Sequence, residues 1–207
     1  MKIGLLALLL ATHMISVLAA ETSSDSDAIA SAVARFVPVG WVLTQWVQGD
    51  LNGDGRADVA AVLLRDNSVA GNPADQPGSR GLLVLFADAS GGYRYQDLAP
   101  AALPCATCLS ANPDTSDFAL AIADQRLTVG WSRDYPSHVR VKLTIGYDPE
   151  RRALRLLGDE TVTTNSASGQ ASRLTRDYVA GTMSTDGQES SISPRFIPLI
   201  EVSAEDY

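Results

Sequence analysis

The feature that most constrains the fold is a strict alternation of apolar and polar residues after His138. Apolar side chains take every second position, at Val139, Val141, Leu143, Ile145 and Tyr147. Successive side chains of a β-strand point to opposite faces, so this segment predicts a half-buried strand of an antiparallel sheet. The segments around Leu120 and Val129 alternate in the same way, and alternation resumes at Leu154 after a turn.

Other segments extend this β pattern. Residues 59–64 and 82–87 are apolar at almost every position, which is typical of central strands covered on both faces. Further strands are predicted at 41–48, 57–64, 81–87, 174–183 and 196–202, with a Ser/Thr-rich loop at 161–172. No internal repeat is present, which argues against a propeller. The predicted fold is mainly β: an antiparallel sheet, sandwich or curled meander, with one short N-terminal helix.

That helix is predicted over residues 25–36. Asp25 or Ser26 can cap it, Ile29, Val33 and Phe36 recur at helical spacing, and Pro38 ends it.

The first 20 residues have the pattern of a secretory signal peptide. Lys2 precedes an apolar run, and small residues at Val17, Ala19 and Ala20 close the segment. A membrane anchor is the alternative, but a spanning helix needs about 20 predominantly apolar residues and polar residues interrupt this run. We therefore expect cleavage, a single β-rich domain over 21–207 without an integral membrane segment, and a periplasmic or extracellular location.

The charge balance narrows the range of partners. The chain has 16 basic and 24 acidic residues, a net charge of −8. An acidic surface disfavours nucleic acid and anionic lipid as partners.

One loop concentrates acidic side chains between two predicted strands. Oxygen-bearing side chains stand at loop positions 1, 3, 5 and 9, occupied by Asp50, Asn52, Asp54 and Asp58. Calcium takes six to eight oxygen ligands, and the backbone carbonyl of Arg56 at position 7 can add one. Gly55 permits the sharp turn. The alternative is a bare hairpin turn, because both Asn-Gly and Asp-Gly occur here. Three carboxylates so close together repel one another unless a cation or protons intervene, which favours a calcium site.

The loop departs from the EF-hand, because position 12 is Ala61 and not glutamate. It resembles instead the calcium loops of FG-GAP and VCBS-type repeats, in a single copy. That resemblance implies that a calcium ion (Ca2+), held by Asp50, Asn52, Asp54, the Arg56 carbonyl and Asp58, stabilises the fold. With Pro38-Val39-Gly40 and the GDLNGDG-x-x-D loop, the chain also resembles a group of secreted bacterial proteins of unknown function. The missing twelfth ligand predicts weak affinity, on the order of 10⁻⁴ to 10⁻³ M.

The two cysteines, Cys105 and Cys108, are three positions apart. In an oxidising compartment we expect a local disulfide between them. A redox-active pair and free thiols are the alternatives, and no βαβ unit of the thioredoxin type surrounds the motif.

Ser137 and His138 do not suggest a hydrolase. Sequence neighbours on a strand point to opposite faces, and no G-x-S-x-G motif is present.

The leading functional hypothesis is an exported, non-catalytic calcium-binding β domain that binds a protein or a glycan. The alternatives are a secreted hydrolase that uses carboxylates, and a periplasmic thiol–disulfide protein that uses Cys105 and Cys108. The sequence identifies no catalytic residue.

Overall fold

The computed structural model describes residues 18–66, 78–106, 118–133 and 137–207 of the 207-residue chain. The chain divides into two compact units, Met1–Arg35 and Phe36–Tyr207. In the described part of the first unit, helix α1 spans Leu18–Ala34. None of the helices within these ranges has the length and hydropathy to cross a membrane.

Helix α1 begins before the predicted start at Asp25, so the prediction of a cap at Asp25 or Ser26 is wrong. Ala19, Ala20 and Glu21 are strong helix formers and carry the helix further towards the N-terminus. The helix ends at Ala34 because Pro38 has no N–H to donate to the Ala34 carbonyl, and because Val37, before the proline, is disfavoured in helical conformation. Of the predicted signal peptide only residues 18–20 are described, and they belong to α1.

The second unit begins with a four-stranded antiparallel sheet. Its strands pair in sequence order: β1 (Trp41–Gly49), β2 (Asp58–Arg65), β3 (Arg80–Ala87) and β4 (Tyr93–Leu103). Val59, Ala61, Leu83 and Leu85, on one face of β2 and β3, are as fully buried as the residues on the other face. This confirms the prediction that these strands are central and covered on both faces.

An eight-stranded antiparallel sheet follows. Seven strands pair in sequence order: β5 (Ala119–Ala123), β6 (Arg126–Arg133), β7 (His138–Asp148), β8 (Ala153–Thr164), β9 (Ala171–Asp177), β10 (Thr182–Thr185) and β11 (Gln188–Ser191). The short β12 (Ile197–Pro198) pairs with β8, and two 3-10 turns, Leu199–Glu201 and Ala204–Asp206, complete the described chain.

The two sheets share one apolar core, so the architecture is a sandwich of two meanders. The four-stranded sheet contributes Ala60, Val62, Leu82, Val84 and Phe86, and the eight-stranded sheet contributes Leu127, Val129, Val141, Leu143, Ile145, Leu154 and Leu156. Phe86 meets Tyr147 edge to face, with ring centroids 5.1 Å apart. The predicted mainly-β, antiparallel fold with one helix is confirmed.

Three predicted segments differ from the structure. Residues 161–172 form the end of β8, a turn and the start of β9, because a threonine-rich segment suits a strand as well as a loop. Residues 174–183 are not one strand, since a turn with Gly181 at φ +72° separates β9 from β10. Residues 196–202 form only the two-residue β12 and a 3-10 turn.

A bulge in β8 changes which residues face the core. Ile145 pairs with Leu156 and Thr144 with Gly158, so Leu157 is an extra residue without a partner in β7. The bulge shifts the inward positions by one, and Asp159 rather than Gly158 faces the core opposite Leu143.

Candidate functional site

The aspartate loop lies at the end of the sandwich where three turns meet. It connects β1 to β2, and the turn at 88–92 connects β3 to β4 at the same end of that sheet. The turn Asp124–Gln125 between β5 and β6 reaches the loop from the other sheet. The Gln125 side-chain oxygen lies 3.1 Å from where a β-carbon on Gly53 would stand. A change in the conformation of the loop would therefore alter its contacts with both sheets.

Asp50 organises the first half of the loop. Its Oδ1 accepts hydrogen bonds from the amides of Gly53 (2.7 Å) and Asp54 (3.2 Å), and its Oδ2 accepts from the amide of Gly55 (3.0 Å). Both glycines have φ of +79°, a backbone conformation that favours glycine. This confirms the sharp turn predicted at Gly55.

Asn52 and Asp54 continue the same arrangement. Asn52 Oδ1 accepts from the Asp54 amide at 2.9 Å, and Asp54 Oδ1 accepts from the Arg56 amide at 3.0 Å. The Arg56 guanidinium forms an ion pair with Asp54 Oδ2, and its Nε donates to the Ala87 carbonyl at 3.3 Å. Arg56 thus supplies a positive charge within the loop itself.

Asp58 is different from the other three because its side chain is fully buried. Its Oδ2 accepts from the amides of Leu51 (2.9 Å) and Asn52 (3.2 Å), and its Oδ1 accepts from the amide of Ala87 (2.9 Å). The carboxylate therefore holds the start of the loop against the end of β3. It has a structural role whether or not it binds a cation.

The environments of Asp54 and Asp58 shift the pKa values of these two carboxyls in opposite directions, which follow from these contacts. Burial raises the pKa of Asp58, against the lowering effect of its amide hydrogen bonds, and the charge of Asp54 raises it further. For Asp54, desolvation acts to raise the pKa, but hydrogen bonds from Arg56 and Asn52 and the Arg56 charge leave the pKa lowered.

The residues of the loop match calcium in their donor chemistry. Each carboxylate oxygen has two lone pairs, and Asp50 Oδ2, Asp54 Oδ1 and Asp58 Oδ1 each accept a single hydrogen bond in the described structure. Within the described ranges, however, no three His, Cys, Asp or Glu side chains converge closely enough to hold a metal ion. Binding would therefore require side chains of the loop to turn inward, and first of all Asp54 to leave Arg56.

The other sequence candidates lie elsewhere. Cys105 follows β4, and Cys108 lies outside the described residues, so the disulfide between them stays a prediction. His138 begins β7 and is half-buried.

A second polar cluster, which the sequence did not indicate, surrounds Asp159. Its side chain has no exposed surface and accepts from Arg176 Nε (2.9 Å), from the Tyr178 hydroxyl (2.7 Å) and from the Tyr207 hydroxyl (3.3 Å). Burial, with the Asp159 charge, raises the pKa of both tyrosines. A cavity of about 340 Å³ beside this cluster is lined by both tyrosines, Arg176, Arg195, Glu201 and Asp206.

The two buried carboxylates, Asp58 and Asp159, have separate surroundings. Asp58 belongs to the four-stranded sheet and Asp159 to the eight-stranded sheet, and among the described residues they share no hydrogen-bond partner. Asp159 is charge-paired and fully hydrogen-bonded, which is typical of a structural buried carboxylate.

Comparison with known proteins gives no family for the chain. No protein-family model, no curated protein and no solved structure matches it.

Proposed function

We propose that this chain is an exported, non-catalytic β domain that binds a protein or glycan ligand and is stabilised by calcium in the Asp50–Asp58 loop. The observation that supports calcium most directly is the charge of the loop. Three carboxylates lie within nine residues, and in the described structure Arg56 is the one cation paired with any of them. A dication would relieve the repulsion that remains.

In this proposal Asp50, Asn52, Asp54, the Arg56 carbonyl and Asp58 hold the ion. Asp50, Asn52 and Asp54 are accessible, and each keeps an oxygen that can accept another partner. Arg56 competes with the ion for Asp54, so calcium must displace an exposed ion pair. Exposed ion pairs contribute between 0 and about 1 kcal/mol to the free energy of unfolding, so breaking this one costs little.

The proposal is tested by thermal unfolding with calcium and with EDTA. For a dissociation constant of 10⁻⁴ to 10⁻³ M, about 10 mM calcium adds about 1.4–2.7 kcal/mol to the free energy of unfolding. For a chain of this size that corresponds to an increase in Tm of roughly 3–10 °C.

Variants identify the site. Asp54→Asn should remove most of the calcium-dependent increase in Tm, whereas Asp186→Asn, in the turn between β10 and β11, should leave it unchanged. Arg56→Gln should strengthen calcium binding by up to about fivefold, because the competing ion pair is gone. Equal melting of the wild-type chain in calcium and in EDTA, with no heat of calcium binding, would refute the calcium proposal.

A further inference from the structure

The outward face of the eight-stranded sheet carries a groove over β5, β6 and β7. Its floor consists of small residues on neighbouring strands: Ala119, Thr128, Gly130 and Ser132. One wall is formed by the long side chains of Arg140 and Lys142, which pair with Ser132 and Gly130 in the β-ladder. The groove has a volume of about 490 Å³, and Phe118 and His138 line the end where β5 and β7 begin. The difference in side-chain length between floor and wall creates the depression.

This groove is positively charged on a chain whose net charge is −8. Arg140 and Lys142 are exposed, and within the described residues neither of them forms an ion pair. Glu160 lies opposite Lys142 on β8, but its ion pair, at 3.6 Å, is with Arg173 on the next strand. The two cations are therefore available to an anionic ligand.

The backbone of the groove argues against a peptide ligand. Peptides that bind to sheets usually add a strand at an edge and use backbone hydrogen bonds. Here the floor is a sheet face: the backbone groups of β6 are already paired with β5 and β7, and those of the edge strand β5 lie in the plane of the sheet and not towards the groove. Recognition must come from side chains.

The remaining charges argue against a long polyanion. Electrostatic attraction extends only about 8 Å at physiological salt, so a ligand confined to the groove experiences chiefly Arg140 and Lys142, with Glu160 beside Lys142 on β8. A longer polyanion also meets the acidic remainder of the surface.

We infer that the groove binds a short oligosaccharide that carries carboxylates. Arg140 and Lys142 pair with the carboxylates, and the hydroxyls of Thr128 and Ser132 exchange hydrogen bonds with sugar hydroxyls. This inference rests on the proposed binding function, whose glycan alternative it specifies, but not on calcium.

The test uses a tetrasaccharide of alternating glucuronate and N-acetylglucosamine as the probe. Its methyl ester, of the same shape but without charge, is the matched control ligand, and a glutamate-rich octapeptide tests for unspecific attraction of anions. Binding is measured by calorimetry with the full chain, at physiological salt, in calcium and in EDTA. We expect the acid to bind at submillimolar concentration and at least about tenfold more tightly than the ester or the peptide.

Two variants locate the site. Arg140→Glu/Lys142→Glu should weaken binding of the acid at least about tenfold. Gly130→Leu should abolish binding by filling the floor. A β-carbon at Gly130 would meet nothing closer than the Val141 carbonyl at 3.5 Å, so the fold accommodates it. Arg152 is an exposed cation on the β7–β8 turn, and the control variant Arg152→Glu should bind the acid as tightly as the wild type does.

Each outcome of these binding measurements either supports or overturns the inference. Equal binding of acid and ester, equal binding of acid and peptide, or no binding at millimolar concentration overturns the inference, as does wild-type affinity in a folded Gly130→Leu variant. Calcium-dependent melting in the same samples tests the calcium proposal separately. A shift in Tm with calcium but no glycan binding refutes only the inference that the groove binds a glycan. Glycan binding without a shift in Tm refutes only the proposed calcium site.

Discussion

Asp58→Asn is the substitution that best separates the structural role of the loop from its proposed role in calcium binding. The asparagine has the same shape but a single acceptor oxygen, whereas the carboxylate receives three amides divided between two oxygens. Whichever way the new side chain turns, its NH₂ group faces at least one amide donor. At least one of the three amides that face this buried carboxyl is left without an acceptor.

An unsatisfied buried donor costs about 1–3 kcal/mol. For a domain of this size we therefore expect Tm to fall by roughly 2–12 °C, in EDTA, where calcium cannot contribute. The measurement is urea denaturation together with thermal melting, both followed by circular dichroism.

Asp50→Asn is the matched control, because Asp50 also accepts three amides but is only half-buried. Water can replace a lost acceptor there, so the cost should stay below about 1 kcal/mol. If both variants lose the same free energy of unfolding in EDTA, burial of Asp58 does not matter and our reasoning is wrong.

Three further predictions concern other parts of the fold. Gly158→Ala should lower the free energy of unfolding in urea by about 1–3 kcal/mol, because its β-carbon would lie 2.5 Å from the Arg176 carbonyl, while Gly130→Ala should change it by less than about 0.5 kcal/mol. Asp159→Ala should lower the free energy of unfolding by about 3–5 kcal/mol, because the partly buried Arg176 and the buried Tyr178 lose their partner, whereas Glu160→Ala, which loses only a partly exposed ion pair, should lower it by less than about 1 kcal/mol. Equal losses in urea would contradict the structural role of Asp159. Hydrogen bonds from the Ser90 hydroxyl and from the Gly92 and Ser90 amides lower the pKa of Asp88, so its contribution to stability is present above the ordinary aspartate pKa and is lost as pH falls through the lowered value. The melting temperature of Asp88→Asn should therefore lie below that of the wild type at neutral pH and approach it in acid, and a difference that grows in acid would show that the sign is wrong.

The sequence predicts this fold well where side-chain alternation is regular. β6 and β7 alternate regularly in sequence, and the structure buries the predicted face of each as far as Ile145, with Tyr147 half-buried. Strands whose residues do not alternate between apolar and polar are harder to predict from the sequence. β4 contains Pro100 and mixed polar residues, β11 is exposed throughout, and neither strand has a periodic signal that sequence reasoning could use.

Residues that act through distant partners could not be identified from the sequence. The spacing of the aspartate loop indicates Asp58 as a ligand, but its contact with Ala87 joins positions 29 residues apart. Asp159 was missed because the bulge at Leu157 breaks the period of two, so the regular pattern places Gly158 in the core. Its partner Tyr207 lies 48 residues away.

The meander order of both sheets has a consequence for how the chain folds. Of the described strands, only β12 joins its sheet beside a strand distant in sequence, at Ile197 and Leu156. Hairpins between successive strands close short loops and carry a small entropic cost, which favours rapid formation for an all-β protein. The return of the segment after β11 to β8, and of Tyr207 to Asp159 48 residues away, spans more of the chain than any hairpin between successive strands. We therefore expect the segment from Phe196 onwards to dock last, so that substitutions there accelerate unfolding and leave the rate of folding almost unchanged.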